Sequence, residues 1–325
     1  MRVLFVGLGS IGQRHLRVLK EICDIDAVAY KTGLGELSFQ SQVTCFSNFD
    51  KAIETRPDFA IISNPTSLHM EVALALANEA IPFFIEKPVS HELANTELLL
   101  ELVRKKNIPS MVGFQMRHHP AYQKMAAAVK EGTIGRPIHF HGSVGQYLPT
   151  WRPNTDYRKC YSSKSDYGGG VVFDLCHELD IAVSILGKVD SLFCMCGKFS
   201  ELEIDTEDLA DISIKHANGG QSHIHLNYLN PGYQWHSHII GTRGAVFWDY
   251  GNKFIKIRDH RGNKTHWDDP VDLDRDWLFR TQMRHWLEVL KGNCMPTVSL
   301  EEGINITKLC IEAKRSSNHG KQIFL

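Results

Sequence analysis

Lysine is among the side chains least often buried without a partner. Yet in the stretch IPFFIEKPVS (81–90) Lys87 directly follows three apolar residues, Phe83, Phe84 and Ile85, and Glu86, and precedes Pro88, which cannot continue a strand. A cation held at the mouth of a buried strand can stabilise negative charge developing on a reacting oxygen. The plainer alternative is a rim lysine paired with Glu86. A second pattern, GLGSIG (7–12), has the spacing G-x-G-x-x-G, follows the apolar run RVLFV and opens an amphipathic helix. In that context Gly7 allows a tight turn, Gly9 lets a pyrophosphate approach the backbone, and Gly12 lets helix and strand pack closely. Ser10 and Ile11 then present the amino end of the helix to the phosphates. The reading is a dinucleotide site.

Two further groups of residues invite chemistry. The segment GQYLPTWRPNTDYRKCYSSKSDY (145–167) interleaves aromatic and cationic side chains. Trp151 and Tyr157 offer stacking faces beside Arg152, Arg158 and Lys164, which suits a sugar carrying a carboxylate or phosphate. The alternative is a long ordered loop with its own salt bridges. Tyr161 and Lys164 lack the Y-x-x-x-K spacing of a short-chain dehydrogenase. Three His-x-His pairs, 139/141, 223/225 and 236/238, each put two imidazoles on one face of a strand. No carboxylate or thiolate spacing accompanies them, so a polar sheet face that could join subunits is preferred to a metal centre and no metal is expected.

These residues need elements to position them. Short apolar runs alternate with helical patterns through the first third of the chain. Strands are expected at 2–6, 25–30, 58–63, 81–85 and 108–114, with a weaker one at 43–46, and helices at 11–22, 68–78 and 92–106. That alternation implies parallel pairing with right-handed crossovers, a doubly wound Rossmann sheet, whose ligands sit outside the carboxyl ends of the strands. The strand ends add Asn64, Pro65 and His69, then Glu86 and Lys87, then Gln115 and Arg117 to the Gly7–Gly12 edge. Beyond about residue 120, period-2 alternation in RPIHFHGSVGQY, GQSHIHLNYL and YQWHSHIIG indicates an open, largely antiparallel sheet. One helix is expected there, from 171 to 186 after Gly168–Gly170, and two more near 276–291 and 300–316. The last begins with a capping box, Ser299 and Glu302. The expected division is a Rossmann domain at 1–118 and an α/β domain at 119–325.

Composition narrows the partners. With 36 Lys+Arg against 37 Asp+Glu, there is no electrostatic case for nucleic acid or a membrane surface. No apolar run approaches the ~18 residues of a membrane span, the first residues do not read as a signal peptide, and eight scattered cysteines read as thiols of a reducing cytoplasm.

RVLFVGLGSIGQRH, ISNPTSLH and FFIEKPVS, with GGGVVFDLCHELD further on, resemble the Gfo/Idh/MocA oxidoreductases, the glucose–fructose oxidoreductase and inositol dehydrogenase family. The resemblance covers essentially the whole chain. It implies an NAD(P)-dependent oxidoreductase acting on CH–OH groups of a sugar or sugar derivative, assembled as a homodimer or homotetramer through its second domain. It also implies that Lys87 is catalytic, together with Asp174 and His177, which are three residues apart here where many members have four. Either spacing would keep both on one face of a continuous helix. His177 would take the hydroxyl proton, Lys87 would stabilise the alkoxide, and Asp174 would orient or charge-balance the pair. Asp180 is an alternative carboxylate. The tyrosine- and arginine-rich segment looks like members associated with bacterial surface-polysaccharide and sialic-acid-like sugars. The family also admits glycoside hydrolases that use NAD transiently, and a non-catalytic nucleotide sensor is a third reading.

Coenzyme choice turns on DAVAYKTG (26–33). Where an NAD site usually places an acid, this chain has Tyr30, then Lys31 and Thr32. The expectation is a modest NADP(H) preference, with Lys31 on the 2′-phosphate and Arg14 as a second contact.

Overall fold

The computed structural model describes residues 1–31, 43–152, 155–269, 273–274 and 276–325. The chain forms two compact units: 1–115 with 273–307, and 116–272 with 308–325.

The first unit is built on six parallel strands: β1 (Arg2–Val6), β2 (Asp26–Tyr30), β3 (Thr44–Phe46), β4 (Phe59–Ile62), β5 (Phe83–Ile85) and β6 (Ser110–Val112), in the order β3-β2-β1-β4-β5-β6. Strands β4, β5 and β6 are buried along their whole length, as strands covered on both faces must be. Helices α1 (Ser10–Ile22), α2 (Phe49–Glu54), α3 (His69–Asn78) and α4 (Thr96–Lys106) make the crossovers. The expected start of α4 at 92 is too early. Asn95, with φ +63°, caps the helix, and residues 92–95 form a turn before it.

In the second unit, α5 (Pro120–Lys130) leads into β7 (Pro137–Gly145). After α6 (Val171–Asp174) and α7 (His177–Leu186) come β8 (Val189–Gly197), β9 (Leu209–His216), β10 (Gln221–Asn227), β11 (Gln234–Gly241), β12 (Gly244–Asp249), β13 (Phe254–Asp259) and β14 (Lys264–Asp268). The nine-stranded sheet runs β14-β13-β12-β11-β7-β10-β9-β8, and β15 (Ile323–Phe324) closes its far edge. Among the described residues of this sheet, only β7 and β10 pair in parallel. Helix α7 packs on β7 and β10. The covered face carries Phe140, Val144, Ile212, Ile224, Leu226 and Ile239, all buried, so the period-2 pattern in the sequence is the pattern of this one-sided burial.

A single cut at 118 does not describe these units. Helix α8 (Trp277–Leu290) buries Phe279, Met283, Trp286 and Val289 in the same core as Phe5, Leu16, Phe59 and Phe84, so this late segment belongs with the parallel sheet. Helix α9 (Leu300–His319) starts in the first unit and ends in the second. Its capping box forms: Glu302 N–H donates to Ser299 Oγ at 3.2 Å and Ser299 N–H to Glu302 Oε2 at 2.8 Å. Among the described residues no helix is long and apolar enough to cross a membrane.

Candidate functional site

Parallel register aligns the strand ends of the first unit. Val6 is opposite Tyr30 and Ile62, Ile62 opposite Ile85, and Ile85 opposite Val112. The residues just past each strand therefore lie along one edge: Gly7–Gly12, Lys31, Ser63–Pro65, Glu86–Pro88 and Gly113–Gln115. Gly7 has φ +87°, and a Cβ there would sit 2.7 Å from the backbone nitrogen of Asn64. A Cβ on Gly12 would strike the Gly7 carbonyl and lie 2.7 Å from Ser63 Oγ. Those two glycines are demanded by the protein's own packing. Gly9 is different, since a Cβ there would meet nothing within 4 Å. Space is kept at that point, where the turn meets the start of α1. The first turn of α1 has no acidic residue and no side-chain cap, so the amides of Ser10 and Ile11 are among those the helix itself cannot satisfy. Asn64 adds a buried side-chain oxygen with no hydrogen-bond partner in the described structure. An anion-accepting helix end, an open cradle and an unspent acceptor fit a dinucleotide.

The remaining first-unit candidates divide. Tyr30 stacks on Phe49 at 5.0 Å and its carbonyl accepts from Gly7 N–H at 3.0 Å. Lys31 N–H is tied to the Phe46 carbonyl at 3.1 Å, and Thr32 lies outside the described residues. Arg14 has partners within the chain. Its Nε is 3.2 Å from Asp276 Oδ1 and its guanidinium lies over Phe279 at 4.9 Å. Pro65 caps a short 3-10 turn that leads into α3, and Gln115 opens another after β6. His69 turns both ring nitrogens onto main-chain carbonyls, Nδ1 at 3.0 Å from Pro88 O and Nε2 at 2.9 Å from Asn64 O. Burial lowers its pKa against the upward pull of those carbonyls and of Glu86. Glu86, also buried, binds His15 on α1 at 2.7 Å, and its other oxygen accepts from Lys87 N–H at 3.3 Å. The Glu86 carboxylate is thus engaged by main chain and by a histidine. The Lys87–Pro88 bond is cis.

In the second unit, Asp174 and His177 do not share one continuous helix. Leu175 and Cys176 interrupt it, so Asp174 ends α6 and His177 opens α7. Helix α6 is set from outside. Val171 N–H donates to the Glu207 carbonyl at 3.1 Å and Val172 N–H to Glu207 Oε1 at 3.3 Å, while Lys314 holds the other carboxylate oxygen at 2.9 Å. Asp174 Oδ2 accepts from the Tyr228 hydroxyl at 2.7 Å. Burial, with Asp174 adding to it, pushes the Tyr228 pKa far up, so this phenol keeps its proton and donates. Trp151 stands edge-on to Tyr228 at 5.2 Å and donates Nε1–H to the Gln146 carbonyl at 3.0 Å. The Arg152 guanidinium lies over Tyr161 at 5.6 Å. Burial works against its charge, but Tyr161, Cys160 and Asp174 outweigh it and raise the pKa. Trp151, Arg152 and Asp174 are therefore gathered around Tyr228 and Tyr161.

His177 lies beside Trp235, ring centres 5.7 Å apart. The Trp235 indole N–H donates to Glu178, a fully buried carboxyl that also receives Ser237 Oγ at 3.3 Å and whose pKa burial raises to about 8. Other substrate candidates are used internally. Arg117 spends its fork on Asp180 at 2.7 and 2.8 Å and on Tyr122 at 2.9 Å, which also makes Asp180 a structural carboxylate. Arg158 pairs with Asp156 and Glu203 on the surface, and the Tyr157 hydroxyl accepts from Glu203 N–H at 3.2 Å. The Lys164 carbonyl accepts from Gly169 N–H at 3.0 Å and closes the turn before α6. This part of 145–167 carries salt bridges of its own.

The six paired histidines do share one face. His141 is opposite His223 on β10 and His238 on β11, and its ring stacks on His223 at 5.8 Å. His225 binds Asp211 at 2.8 Å. Among the described residues no group of three or more His, Cys, Asp or Glu is placed to hold a metal ion.

Sequence reading missed His15, Tyr228, Glu178 and Trp235. A signal existed for His15, which falls on the apolar face of α1 with Gly12, Leu16 and Leu19. Glu178 likewise stands among the buried positions of α7, with Ile181 and Ala182 one turn on. Tyr228 comes directly after β10 and continues its alternation of buried positions, Ser222, Ile224 and Leu226.

Comparison with known proteins adds to this geometry. Residues 1–114 match the family model described as an oxidoreductase family with an NAD-binding Rossmann fold, and residues 122–247 match the GFO/IDH/MocA C-terminal domain. The chain is 25% identical to a myo-inositol 2-dehydrogenase of Thermotoga maritima, across 100% of this chain and 98% of that one. It is 24% identical to an NAD(+) scyllo-inositol 2-dehydrogenase of Bacillus subtilis, across 94% and 93%. An oxidoreductase from Agrobacterium radiobacter, crystallised with NAD+, L-tartaric acid and magnesium, shares the fold with a TM-score of 0.86, covering 100% of this chain and 98% of that one at 20% identity.

Proposed function

The chain belongs to the Gfo/Idh/MocA family of NAD-binding oxidoreductases, and on that premise we propose that it moves a hydride between a nicotinamide coenzyme and a secondary alcohol or ketone of a sugar or polyol. One observation carries the reading: Lys87 leaves β5 on the same sheet edge as the Gly7–Gly12 cradle and the unspent oxygen of Asn64. The coenzyme, when bound, supplies the hydride acceptor or donor. Lys87 donates to the carbinol oxygen as alkoxide charge develops. His177 takes the hydroxyl proton in the oxidative direction and returns it in the other. Asp174, held by Tyr228, balances the charge of the imidazolium. Trp151 and Arg152 receive the sugar and favour one bearing a carboxylate or phosphate, the kind found in bacterial surface polysaccharides and sialic-acid-like sugars.

Three finer readings accompany this. Lys31, where an acid is usual, favours NADP(H). The histidine-bearing sheet face joins subunits into a homodimer or homotetramer. Eight free thiols suit a reducing cytoplasm.

The test is a screen of inositols, uronic acids, sugar phosphates and glycosides with NAD+ and NADP+, monitored at 340 nm and for released product. Stoichiometric reduction marks a dehydrogenase. Product release without reduction marks the glycoside hydrolase reading, and coenzyme binding with neither marks a sensor. In the active pair, Lys87→Ala lowers kcat by about 100-fold or more and leaves coenzyme affinity nearly intact. Turnover near that of the wild type would remove Lys87 from the chemistry.

A further inference from the structure

We propose that His15 and His69, two buried histidines reached from different helices, are positioning residues that fix the Glu86–Pro88 turn and so aim Lys87. The inference rests on the reading of Lys87 as a catalytic group. Residues 86–90 belong to no helix or strand, so the turn takes its shape from the groups that grip it. Glu86 N–H continues the sheet to the Ile62 carbonyl at 3.0 Å, and Val89 N–H is taken by Thr307 Oγ1 at 3.1 Å. Between these two anchors the grips are the histidines.

His15 comes from α1. Its Nε2 is 2.7 Å from Glu86 Oε1, and Glu86 Oε2 accepts from Lys87 N–H at 3.3 Å. One carboxylate thus links the first helix to the lysine's own amide. The space it occupies is kept by Gly113, whose Cβ would lie 3.1 Å from that carboxylate. The His15 ring is fully buried, edge-on to Phe84 at 5.2 Å and Phe279 at 5.6 Å. Its Nδ1 has no hydrogen-bond partner among the described residues. A proton on Nδ1 would find no acceptor among the aromatic rings, and the nitrogen that donates to Glu86 is Nε2. An apolar residue would remove the partnerless Nδ1, but it would leave the buried Glu86 Oε1 without its donor. The histidine is therefore suited to orienting Glu86 rather than to packing.

His69 comes from α3 and grips the other side. Pro88 has no N–H, and its carbonyl is 3.0 Å from His69 Nδ1, while Nε2 is 2.9 Å from the Asn64 carbonyl. Asn64 in turn lies against Gly7. The ring lies between the turn bearing Lys87 and the turn that cradles phosphate, in reach of a main-chain carbonyl on each; a neutral ring donates to one of them and an imidazolium to both. Lys87 is flanked in sequence by the two residues that are held, Glu86 and Pro88.

The experiment compares His15→Leu, His15→Asn, His15→Gln, His69→Leu and Lys87→Ala, using the sugar and coenzyme pair from the screen and NADH titration by fluorescence. A glutamine amide reaches the position of Nε2, and an asparagine amide falls short of it. Misplacing a reacting group by about 1 Å costs up to about 100-fold. We therefore expect His15→Leu, His15→Asn and His69→Leu to lose about 10- to 100-fold in kcat with KM and NADH affinity little changed, and His15→Gln to recover most of the loss. Reductive 13C-methylation gives a readout that needs no substrate: the dimethyl-lysine resonance assigned by its absence in Lys87→Ala shifts in His15→Asn and stays in place in His15→Gln. If His15→Leu does not fold, the asparagine–glutamine contrast decides. Equal kcat in those two variants, or full kcat in His69→Leu, overturns the positioning role while Lys87→Ala remains impaired. A fully active Lys87→Ala overturns the reading beneath it.

Discussion

Replacing Glu178 with glutamine should make the second unit more stable, and by an amount that grows with pH. The carboxyl is fully buried, and burial raises its pKa from 4.5 to about 8. Between those values the unfolded chain has released a proton that the folded chain still holds. Folding then requires proton uptake, and stability falls as pH rises. Each pH unit is worth about 1.4 kcal/mol, so the loss approaches about 3 kcal/mol at pH 7 and levels off above about pH 8, where both states are ionised. Glutamine has nearly the same shape, which matters because Gly142 leaves no room beside this side chain. Its amide oxygen can still accept the Trp235 indole N–H, and the Ser237 hydroxyl can turn to meet the amide nitrogen. Because glutamine does not titrate, the stability difference between Glu178→Gln and wild type should be small at pH 4.5 and widen by about 1.4 kcal/mol per pH unit up to about pH 8. Urea titrations at pH 5, 6, 7 and 8 measure it, and amide exchange at β10 and β11 reports the second unit by itself. A difference that stays flat with pH, or a glutamine variant less stable throughout, would refute the argument.

Tyr228→Phe removes the 2.7 Å donor to Asp174; it should cost about 1–3 kcal/mol and lower kcat with little change in coenzyme affinity, as paired melting and kinetic measurements would show. Lys31→Ala should weaken NADP(H) by about 10-fold or more, the scale of one charge-assisted hydrogen bond, and leave NAD(H) unchanged. Calorimetry with both coenzymes decides this, and tighter NAD(H) binding by the wild type would disprove the preference. Purified protein should be a dimer or tetramer in light scattering, hold no stoichiometric zinc, nickel, manganese or iron, and be indifferent to EDTA; a monomer, or one tight ion per chain, would reverse the account of the histidine face.

Features encoded by local patterns were legible in the sequence, and those set by distant contacts were not. The parallel sheet could be read because Phe59–Ile62 and Phe83–Ile85 are covered on both faces and so appear as unbroken apolar runs. The glycine cradle could be read because its G-x-G-x-x-G spacing sits between an apolar strand and an amphipathic helix. Helix α8 was visible as a helix, but its allegiance was not. Periodicity reveals that Phe279, Met283 and Trp286 share a face without saying which core receives them. The break between α6 and α7 carries no glycine or proline. Glu207, far along the chain, caps α6 through its carbonyl and carboxylate, and no local signal announces such a contact. The internal partners of Arg117, Tyr157 and Arg158 were not legible for a related reason. Composition shows that cations are present, but their internal partners, Asp180, Asp156 and Glu203, appear only on folding.

The return of residues 273–307 to the parallel sheet also sets an order of events during synthesis. All six strands of the first sheet leave the ribosome early, but Phe279, Met283 and Trp286, which fill their core, are translated only after β14. The nascent amino-terminal third must therefore wait, with one side of its hydrophobic interior unfinished, while the whole antiparallel sheet is made. A chain cut after residue 118 corresponds to that waiting state. It should be a poor soluble fragment, whereas one joining 1–115 to 273–307 through a short linker would hold every residue of the interior that contains Phe5, Phe84 and Trp286.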